Sequence, residues 1–426
     1  MEKLVKKKSI LKWKEILIKH KVWLIFLFIL IIHSFFRFYQ LGSRNTFGWD
    51  QVDNAWAAKD IIVDHRLPLL GMQAKLNAGF YIGPLYYYLI AIFYFLTNLD
   101  PIASGLFVGA TSIFTITILF LITRKIFSEE VALAAAFINA VSFTIISGDR
   151  VQWPVNLIAP VSLIIFFALY QVLTGREKYL ILLAAAVGFS FHLHFTGVFY
   201  SLIILLTLPF WPRTKRFLRY ALVSLPIFVV FLIPNLIAEI SSKGSSSKNI
   251  ADYLAIYFHG LYLVRVGQLA KDAFIEFESV LFKALKPLKY LLYPLFLVIY
   301  FKEKPSRERL ILGYLVSLWF LFPWFAFSLY SGEISNYYFS LTRPIVLIII
   351  AYLLVKLFEI KNIVPKVIVI AFLVYYSLVN IQSFFRVEGR GLDYQKQVVL
   401  EKIGRGEVIE FKHGDWQSYL YYFYTR

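Results

Sequence analysis

The chain has 426 residues, of which 59% are hydrophobic, 19% aromatic and only 16% charged. This composition excludes a protein built from one or two soluble domains and is typical of a polytopic membrane protein. The formal net charge is +18, but the basic residues lie in short clusters between apolar runs, so we predict a lipid bilayer and no nucleic acid as partner. The chain has no cysteine, which excludes disulfide bonds, thiolate metal ligands and thiol nucleophiles.

Eleven apolar runs predict transmembrane helices, because each approaches the length needed to cross a hydrocarbon core of ~30 Å. We therefore predict an all-α polytopic membrane protein with about 11 transmembrane helices, outer juxtamembrane helices and a small extramembrane C-terminal tail. Eight lysines precede Val22, and no small-residue cleavage site follows the first apolar run. This pattern predicts an uncleaved signal anchor with a cytoplasmic N-terminus. The predicted runs cover residues 22–39, 102–123, 131–146, 155–173, 180–195, 198–210, 220–240, 288–301, 310–330, 345–358 and 364–384.

The segment 79–97 is a twelfth apolar run, and whether it crosses the membrane decides which side every later loop faces. It contains Gly83 and Pro84 in succession and five tyrosines, a composition that suits the headgroup region. We predict that it lies in the outer interface. With this choice the basic clusters between the later runs fall on the cytoplasmic side, as the positive-inside rule requires.

These boundaries divide the chain into a predicted membrane domain, residues 1–384, and an outer C-terminal tail, residues 385–426. Within the membrane domain, residues 40–100 form the first outer loop with its juxtamembrane helices. Residues 241–287 form a second outer loop that begins with the flexible sequence SSKGSSSK, and a mobile lid is one interpretation of this loop. The role of the tail stays open between an acceptor-binding appendage and a lid.

Two aspartates, Asp50 and Asp53, follow the first predicted span in the stretch TFGWDQVDN. Residues three apart share one face of a helix, so both carboxylates are predicted to point at one spot on the outer surface. A carboxylate flanked by Trp49 and Trp56 and close to lipid would have a raised pKa, which suits proton abstraction. The alternative is that one of the two aspartates only caps the helix.

A second polar cluster, SGDRVQWPVN, contains Asp149 and Arg150 and follows an apolar span directly. An arginine at the outer interface is well placed to bind a phosphate bidentately; alternatively, Arg150 pairs with Asp149 or snorkels to headgroups. The stretch SNYYFSLTRP opens the tenth span from outside and places Tyr338 and Arg343 near the same interface. The alternative is that the two tyrosines of this stretch are interfacial belt residues.

The stretch FHLHFTG places His192 and His194 at the outer end of the fifth span. Histidines two residues apart do not share a helix face, so a two-histidine metal site would need an irregular helix end. Either histidine, together with Asp50 or Asp53, is a candidate for binding a divalent metal or a phosphate; the alternative is an imidazole satisfied by backbone or water. Polar clusters from four parts of the chain at one membrane face predict a cavity that faces outward.

The chain resembles the glycosyltransferase C superfamily, in the branch that contains the protein O-mannosyltransferases and the lipid A aminoarabinose transferases, which is similar to glycosyltransferase family 39. The resemblance covers roughly residues 22–358. It rests on the order and sidedness of several short motifs. These are the acidic outer motif Trp49–Gln51, the juxtamembrane stretch GPLYYY (Gly83–Tyr88), the basic corner RKIF (Arg124–Phe127), the Asp149–Arg150 pair and the span entry Arg343–Pro344.

The resemblance implies an integral membrane glycosyltransferase of the plasma membrane and cell envelope. The enzyme would move a monosaccharide, a hexose or a pentose, from a polyprenyl-phosphate donor to an acceptor hydroxyl at the outer face, with inversion at the anomeric carbon and Asp50 as general base. The family often has Asp-Glu where this chain has Asp50 and Gln51, which leaves open whether Asp53 takes the second acidic role and whether a metal is used. Tyr87 of GPLYYY is a further candidate for substrate binding.

The main alternative from another functional class is a transporter or flippase of lipid-linked saccharides. Such a protein is expected to carry charges near the midplane of its spans, whereas the predicted spans are nearly free of charge and the polar groups gather at one face. A polysaccharide polymerase or ligase is a third interpretation. No motif identifies the sugar, or whether the acceptor is a glycan, a lipid or a protein.

Overall fold

The structure, a computed structural model, describes residues 2–74, 78–258, 260–261, 265–269, 274–278, 287–387, 389–412 and 414–426, without the side chains of 2–19, 275 and 278. The prediction of an all-α protein is confirmed: within this part of the chain the only strand-like feature is an isolated antiparallel bridge between Gln73 and Tyr81. The α-helices that position the site are α1 (Glu2–Phe38), α2 (Leu41–Arg44), α3 (Asp50–Ile62), α4 (Leu85–Leu96), α5 (Ile102–Ile126), α6 (Glu129–Val141), α7 (Phe143–Gly148), α8 (Ile158–Leu173), α9 (Leu180–Ser190), α10 (Gly197–Leu206), α11 (Lys215–Ser241), α12 (Ser245–Tyr257), α13 (Ile275–Glu278), α14 (Lys289–Lys302), α15 (Arg307–Ser328), α16 (Arg343–Glu359), α17 (Ile363–Arg386), α18 (Leu392–Gly404) and α19 (Trp416–Thr425).

Among the described residues, seven helices are long and apolar enough to cross a membrane. They are α1 from His20, α5, α8 with the 3-10 turn before it, α11, α15, α16 with the 3-10 turn before it, and α17. The prediction of a polytopic membrane protein is therefore confirmed, but the number of eleven spans is not. Each predicted run coincides with a helix, yet the runs at α6, α9, α10 and α14 give helices of only 13, 11, 10 and 14 residues.

The run 131–146, predicted as one helix, is two helices in the structure. α6 ends at Val141, and Ser142 has an extended backbone (φ −62°, ψ 117°) before α7 begins. The backbone N–H of Phe143 donates a hydrogen bond to Oδ1 of Asn380 on α17 at 2.8 Å. The break is thus stabilised by a side chain 237 residues further along the chain, which local sequence patterns do not reveal.

The helix in the ambiguous segment 79–97 is short. α4 has 12 residues and begins directly after Pro84, so it is about 18 Å long at 1.5 Å per residue, against ~30 Å of hydrocarbon. It packs against α3, whose buried face includes Val52, Ala55 and Ala58. A helix of this length suits the interfacial position that we predict, and the sidedness of the later loops stays a prediction with it.

The second outer loop is only partly described, since residues 259, 262–264, 270–273 and 279–286 lie outside the described residues. Its described part begins with a turn at Lys243 (φ 54°) and Gly244 (φ 84°) and continues as α12. Asn249 on α12 donates a hydrogen bond to the carbonyl of Gly79 at 2.7 Å, and Ser331 donates from its N–H to the carbonyl of Tyr257 at 2.8 Å. The lid interpretation stays a prediction.

The C-terminal residues after α17 pack onto the first outer loop, because α18 contacts α2 and α19 contacts α3. Lys396 on α18 adds an ion pair with Asp100 at 2.7 Å. The division of the chain into a membrane domain, residues 1–384, and an outer tail, residues 385–426, stays a prediction.

Candidate active site

A short extended segment, residues 45–48, leads from α2 to α3 and places Asp50 at the first position of α3. Gln51 holds this turn, because its Oε1 accepts a hydrogen bond from the N–H of Gly48 at 2.9 Å. Its Nε2 donates to the carbonyl of Gln152 at 3.0 Å. The neutral amide therefore joins the first outer motif to the second, and a glutamate at this position would lose the donor.

Asp50 and Asp53 lie on the same side of α3, as their spacing predicts. Burial, and secondly the charge of Asp53, raise the pKa of Asp50 from the ordinary carboxyl value to about 6. Burial and the charges of Asp53 and Asp50 also raise the pKa of Tyr87, so Tyr87 lies within electrostatic reach of both carboxylates. A carboxylate with a pKa near the working pH is suited to take up a proton during catalysis.

Two cavities meet at Asp50. We call the first the aromatic cavity; it has a volume of about 300 Å³ and is lined by Asp50, Trp153, His194, Glu333, Tyr337 and Tyr338, among others. The second, the Trp49 cavity, has a volume of about 330 Å³ and is lined by residues 46–51, Val151 and Trp153. Asp50 and Trp153 line both, so a group on either side has access to the same carboxylate.

Packed rings form one wall of the aromatic cavity. The ring centroids of Trp153 and Tyr337 are 4.8 Å apart, those of Tyr337 and Tyr338 are also 4.8 Å apart, and those of His194 and Tyr338 are 5.2 Å apart. Nδ1 of His194 accepts a hydrogen bond from the N–H of Thr196 at 3.3 Å. Nδ1 also lies 3.0 Å from Oγ1 of Thr196, so two contacts with Thr196 hold the imidazole beside these rings.

Arg150 lies in a different environment from the one that we predicted. Its guanidinium donates hydrogen bonds to the carbonyls of Phe36, Arg37 and Tyr39, at 2.7, 3.0 and 3.0 Å, and so caps the C-terminal end of α1. It lines a separate cavity of about 140 Å³ with Arg44. These contacts favour a structural role, and phosphate binding by Arg150 stays a prediction.

Asp149 and Arg343 lie together in a small cavity of about 20 Å³ and do not line the aromatic cavity. Asp149 pairs with Arg37 of α1 at 2.8 Å, and Arg343 pairs with Glu276 of α13 at 2.8 Å. Both charges therefore have intramolecular partners. Their assignment to substrate binding is a prediction that these contacts do not support directly.

His192 and His194 are held apart. Nδ1 of His192 accepts from the N–H of Leu85 at 3.3 Å, and its Nε2 donates to the carbonyl of Phe231 at 2.8 Å. Its imidazole thus connects the start of α4 to α11, whereas His194 lines the aromatic cavity. In the described part of the chain, no three side chains of the histidine, cysteine, aspartate or glutamate types are grouped so that they could hold a metal ion.

Replacing Gly83 by alanine is expected to disturb this arrangement, because a Cβ at Gly83 would overlap the imidazole of His192. Overpacking of this kind costs about 1–3 kcal/mol. We expect a lower unfolding temperature in detergent and a lower kcat/KM, since the loop that His192 anchors also carries His194. Gly148→Ala is the matched control, because nothing lies within 4 Å of a Cβ there. Equal behaviour of the two variants would contradict this role of His192.

The raised pKa of Asp50 predicts a pH dependence of activity. A general base is active when deprotonated. With Asp50 in this role, kcat/KM is expected to rise with pH with a midpoint of about 6 and then to level off. Asp53→Asn removes the like charge and is expected to move this midpoint downward, although burial keeps it above the ordinary carboxyl value. The measurement is the pH profile of both proteins. An unchanged midpoint in Asp53→Asn would contradict the assignment, and a histidine acting in its charged form would give the opposite slope.

Sequence patterns missed four residues that the structure brings to the site: Gln51 as a connector, and Trp153, Glu333 and Tyr337 in the lining of the aromatic cavity. Trp153 lies inside the second predicted cluster and Tyr337 is adjacent to the predicted Tyr338. The indication in the sequence that Trp153 and Tyr337 could line the site was their position within or beside these polar clusters. The spacing alone does not distinguish a ring that lines a cavity from one buried in the bundle.

Comparisons with known proteins agree with this architecture. The family described as dolichyl-phosphate-mannose-protein mannosyltransferase matches residues 82–237. ArnT from Cupriavidus metallidurans, solved bound to undecaprenyl phosphate, has 13% sequence identity and a TM-score of 0.54, over 91% of this chain and 73% of that chain. No significant match was found among curated proteins.

A second similar structure is the archaeal oligosaccharyltransferase AglB from Archaeoglobus fulgidus, in complex with an inhibitory peptide and a dolichol-phosphate. Its sequence identity is 11% and its TM-score 0.60, over 94% of this chain and 61% of that chain; the present chain thus spans about three fifths of AglB. The predicted resemblance is therefore confirmed: the chain has the fold of ArnT and AglB and, over residues 82–237, sequence similar to the family of dolichyl-phosphate-mannose-protein mannosyltransferases.

Proposed function

We propose that the protein is a membrane glycosyltransferase that moves a monosaccharide from a polyprenyl-phosphate donor to an acceptor hydroxyl at the outer membrane face. One observation carries this proposal. Asp50, a carboxylate with a pKa raised to about 6, lies where two cavities meet. A transferase needs a base in contact with the acceptor on one side and room for the donor on the other.

The donor belongs in the aromatic cavity in this proposal. A sugar phosphate needs hydrogen-bond donors around the leaving phosphate. In this proposal the imidazole of His194 and the hydroxyls of Tyr337 and Tyr338, which line this cavity, would donate to the phosphate. Neither lysine nor arginine is among the described residues that line it, so neutral donors would carry this task.

The acceptor belongs in the Trp49 cavity in this proposal, and among the described residues that line this cavity only Asp50 is charged. Asp50 would take the proton of the acceptor hydroxyl as the hydroxyl oxygen attacks the anomeric carbon. The bond between that carbon and the phosphate oxygen then breaks, and its electron pair leaves with the phosphate. Attack from the side opposite the leaving group inverts the anomeric carbon, because a single displacement occurs.

The similar structures support a lipid-linked donor, since ArnT was solved bound to undecaprenyl phosphate and AglB with a dolichol-phosphate and an inhibitory peptide. In the present chain, Asp50 follows the long apolar helix α1 and the short helix α2, which would place it near a lipid-linked donor. The acceptor class, whether glycan, lipid or protein, is the part of the proposal that needs direct measurement.

The test uses purified protein in liposomes and a panel of radiolabelled donors. Polyprenyl-phosphate monosaccharides are compared with polyprenyl-diphosphate oligosaccharides, and label in the aqueous phase or on an added acceptor is counted. We expect one monosaccharide phosphate to lose its label and the diphosphates to be inert. Transfer from the oligosaccharide diphosphates alone would instead identify a polymerase or ligase.

A further inference from the structure

Residues 45–48, which lead into the helix that begins at Asp50, contain buried backbone groups that no helix or strand pairs. Residues 45–48 belong to neither a helix nor a strand, and Asn45 and Phe47 are 6% and 1% exposed. Buried backbone N–H and C=O groups need hydrogen-bond partners. For the carbonyl of Asn45 and both backbone groups of Phe47, the partners come from the C-terminal end of the chain.

The backbone carbonyls of residues 43, 45 and 47 accept hydrogen bonds from the C-terminal residues. The N–H of Gly391 donates to the carbonyl of Ser43 at 3.1 Å, and the N–H of Leu392 donates to the carbonyl of Asn45 at 2.7 Å. The third is Phe47, whose carbonyl accepts from Nε2 of Gln395 at 2.7 Å.

Gln395 makes a second bond to the same residue, because its Oε1 accepts from the N–H of Phe47 at 2.9 Å. One side-chain amide therefore satisfies both backbone groups of Phe47. Gln395 is itself only 8% exposed, so water is poorly placed to replace it. A carboxamide combines a donor and an acceptor without a change in protonation, as this contact requires.

The side chain of Phe47 is fixed from the same end of the chain. Tyr419 of α19 packs against Phe47 with ring centroids 5.5 Å apart and against Trp56 of α3 at 5.1 Å. The hydroxyl of Tyr419 donates to the carbonyl of Leu99 at 3.0 Å. The C-terminal helices thus contact both the segment before Asp50 and the helix after it.

We propose that the C-terminal segment, residues 389–426, is a positioning element of the active site, in which Gln395 fixes Phe47 and thereby the location of the Asp50 carboxylate. This inference rests on the proposed function for its catalytic consequence. Phe47 precedes Asp50 by three residues and lines the same Trp49 cavity. A displacement of about 1 Å in a catalytic group can reduce a rate about 100-fold.

The first experiment compares Gln395→Ala with Lys396→Ala in the full-length chain. Lys396 is the adjacent residue on α18 and also anchors it, through the ion pair with Asp100, so it controls for loosening of the C-terminal segment. We expect Gln395→Ala to lower kcat about 10- to 100-fold with the donor KM nearly unchanged. Lys396→Ala is expected to keep kcat within about 3-fold.

A conservative variant gives a readout that a general loss of stability would not produce. In Gln395→Glu, the ionised carboxylate accepts from the N–H of Phe47 but cannot donate to its carbonyl, whereas the protonated acid can do both. The ratio of Gln395→Glu activity to wild-type activity is therefore expected to rise as the pH falls. The corresponding ratio for Gln395→Ala is expected to stay flat.

Amide hydrogen exchange of residues 45–50 provides a test that does not depend on activity. Faster exchange in Gln395→Ala, with exchange unchanged in Lys396→Ala, together with the fall in kcat supports the proposal. Unchanged exchange, or faster exchange with full kcat, overturns it. If the wild type transfers no sugar from any donor, the proposed function fails separately, and exchange at residues 45–50 still decides whether Gln395 holds this segment.

Discussion

Replacing Asp50 by asparagine is expected to lower kcat for sugar transfer by about 100- to 10,000-fold, the usual loss when a general base is removed. Asparagine has nearly the same shape as aspartate but cannot accept a proton from the acceptor hydroxyl. The affinity for the donor is expected to change little, because the rings and His194 of the aromatic cavity remain in place. The measurement is the initial rate at saturating donor and acceptor with purified protein in liposomes.

Asp60→Asn provides the matched control for this experiment. Asp60 lies on the same helix, has a side chain that is 44% exposed, and pairs with Lys59 at 3.5 Å. The substitution makes the same charge change away from the cavities, and we expect a rate within about 2-fold of wild type. An Asp50→Asn protein with wild-type kcat would remove Asp50 from the mechanism and leave Asp53 and Glu333 as the carboxylates to test next.

The second large effect concerns stability. Arg37 has a fully buried side chain that pairs with Asp149 at 2.8 Å and donates to the carbonyls of Ala140 and Asn139 at 2.6 and 3.0 Å. Arg37→Leu leaves the carboxylate of Asp149 and two carbonyls without their donor. Removing one partner of a buried ion pair typically costs about 3–5 kcal/mol. We expect a corresponding loss of unfolding free energy in detergent, measured by denaturant titration.

Two controls distinguish the effect of breaking the Arg37–Asp149 ion pair from the effect of removing a charge near the surface. Lys356 pairs with Glu359 at 2.9 Å near the surface, and Lys356→Leu is expected to cost at most about 1 kcal/mol. The double variant Arg37→Leu, Asp149→Leu is expected to lose less than the sum of its single variants, because no charge is then left alone. Strict additivity of the two substitutions would contradict a coupled pair.

The helices were predictable from the sequence, since apolar length alone locates them. Their interruptions were not. Ser142 separates α6 from α7 because Asn380, on a helix far along the chain, accepts from the N–H of Phe143, and a pattern within residues 131–146 contains no trace of that partner. In the same way, a helix within segment 79–97 was predictable from its apolar composition, but its exact start at Leu85 was not.

The candidate site was predictable in part. The prediction placed Asp50, His194 and Tyr338 at the outer ends of different spans, and they line one cavity in the structure. The directions of the long side chains were not predictable. Arg150 extends toward the last carbonyls of α1, and the choice between a carbonyl and a phosphate depends on packing that a single sequence does not specify.

The contact between Gln395 and Phe47 illustrates the same limit over the longest range. The two residues are 348 positions apart, and neither has a local feature that indicates the other. The C-terminal tail was accordingly interpreted as an appendage or a lid. Its contacts indicate that it is packed against the segment that carries the proposed base.

The most direct test of the proposed function measures the loss of label from a radiolabelled polyprenyl-phosphate monosaccharide in liposomes that contain wild type or Asp50→Asn, with both proteins shown to be folded and inserted. We predict that wild type moves the label from the lipid to the acceptor and that Asp50→Asn leaves it on the lipid. Label that stays on the lipid with both proteins, but changes leaflet with wild type alone, would contradict the account and identify a flippase.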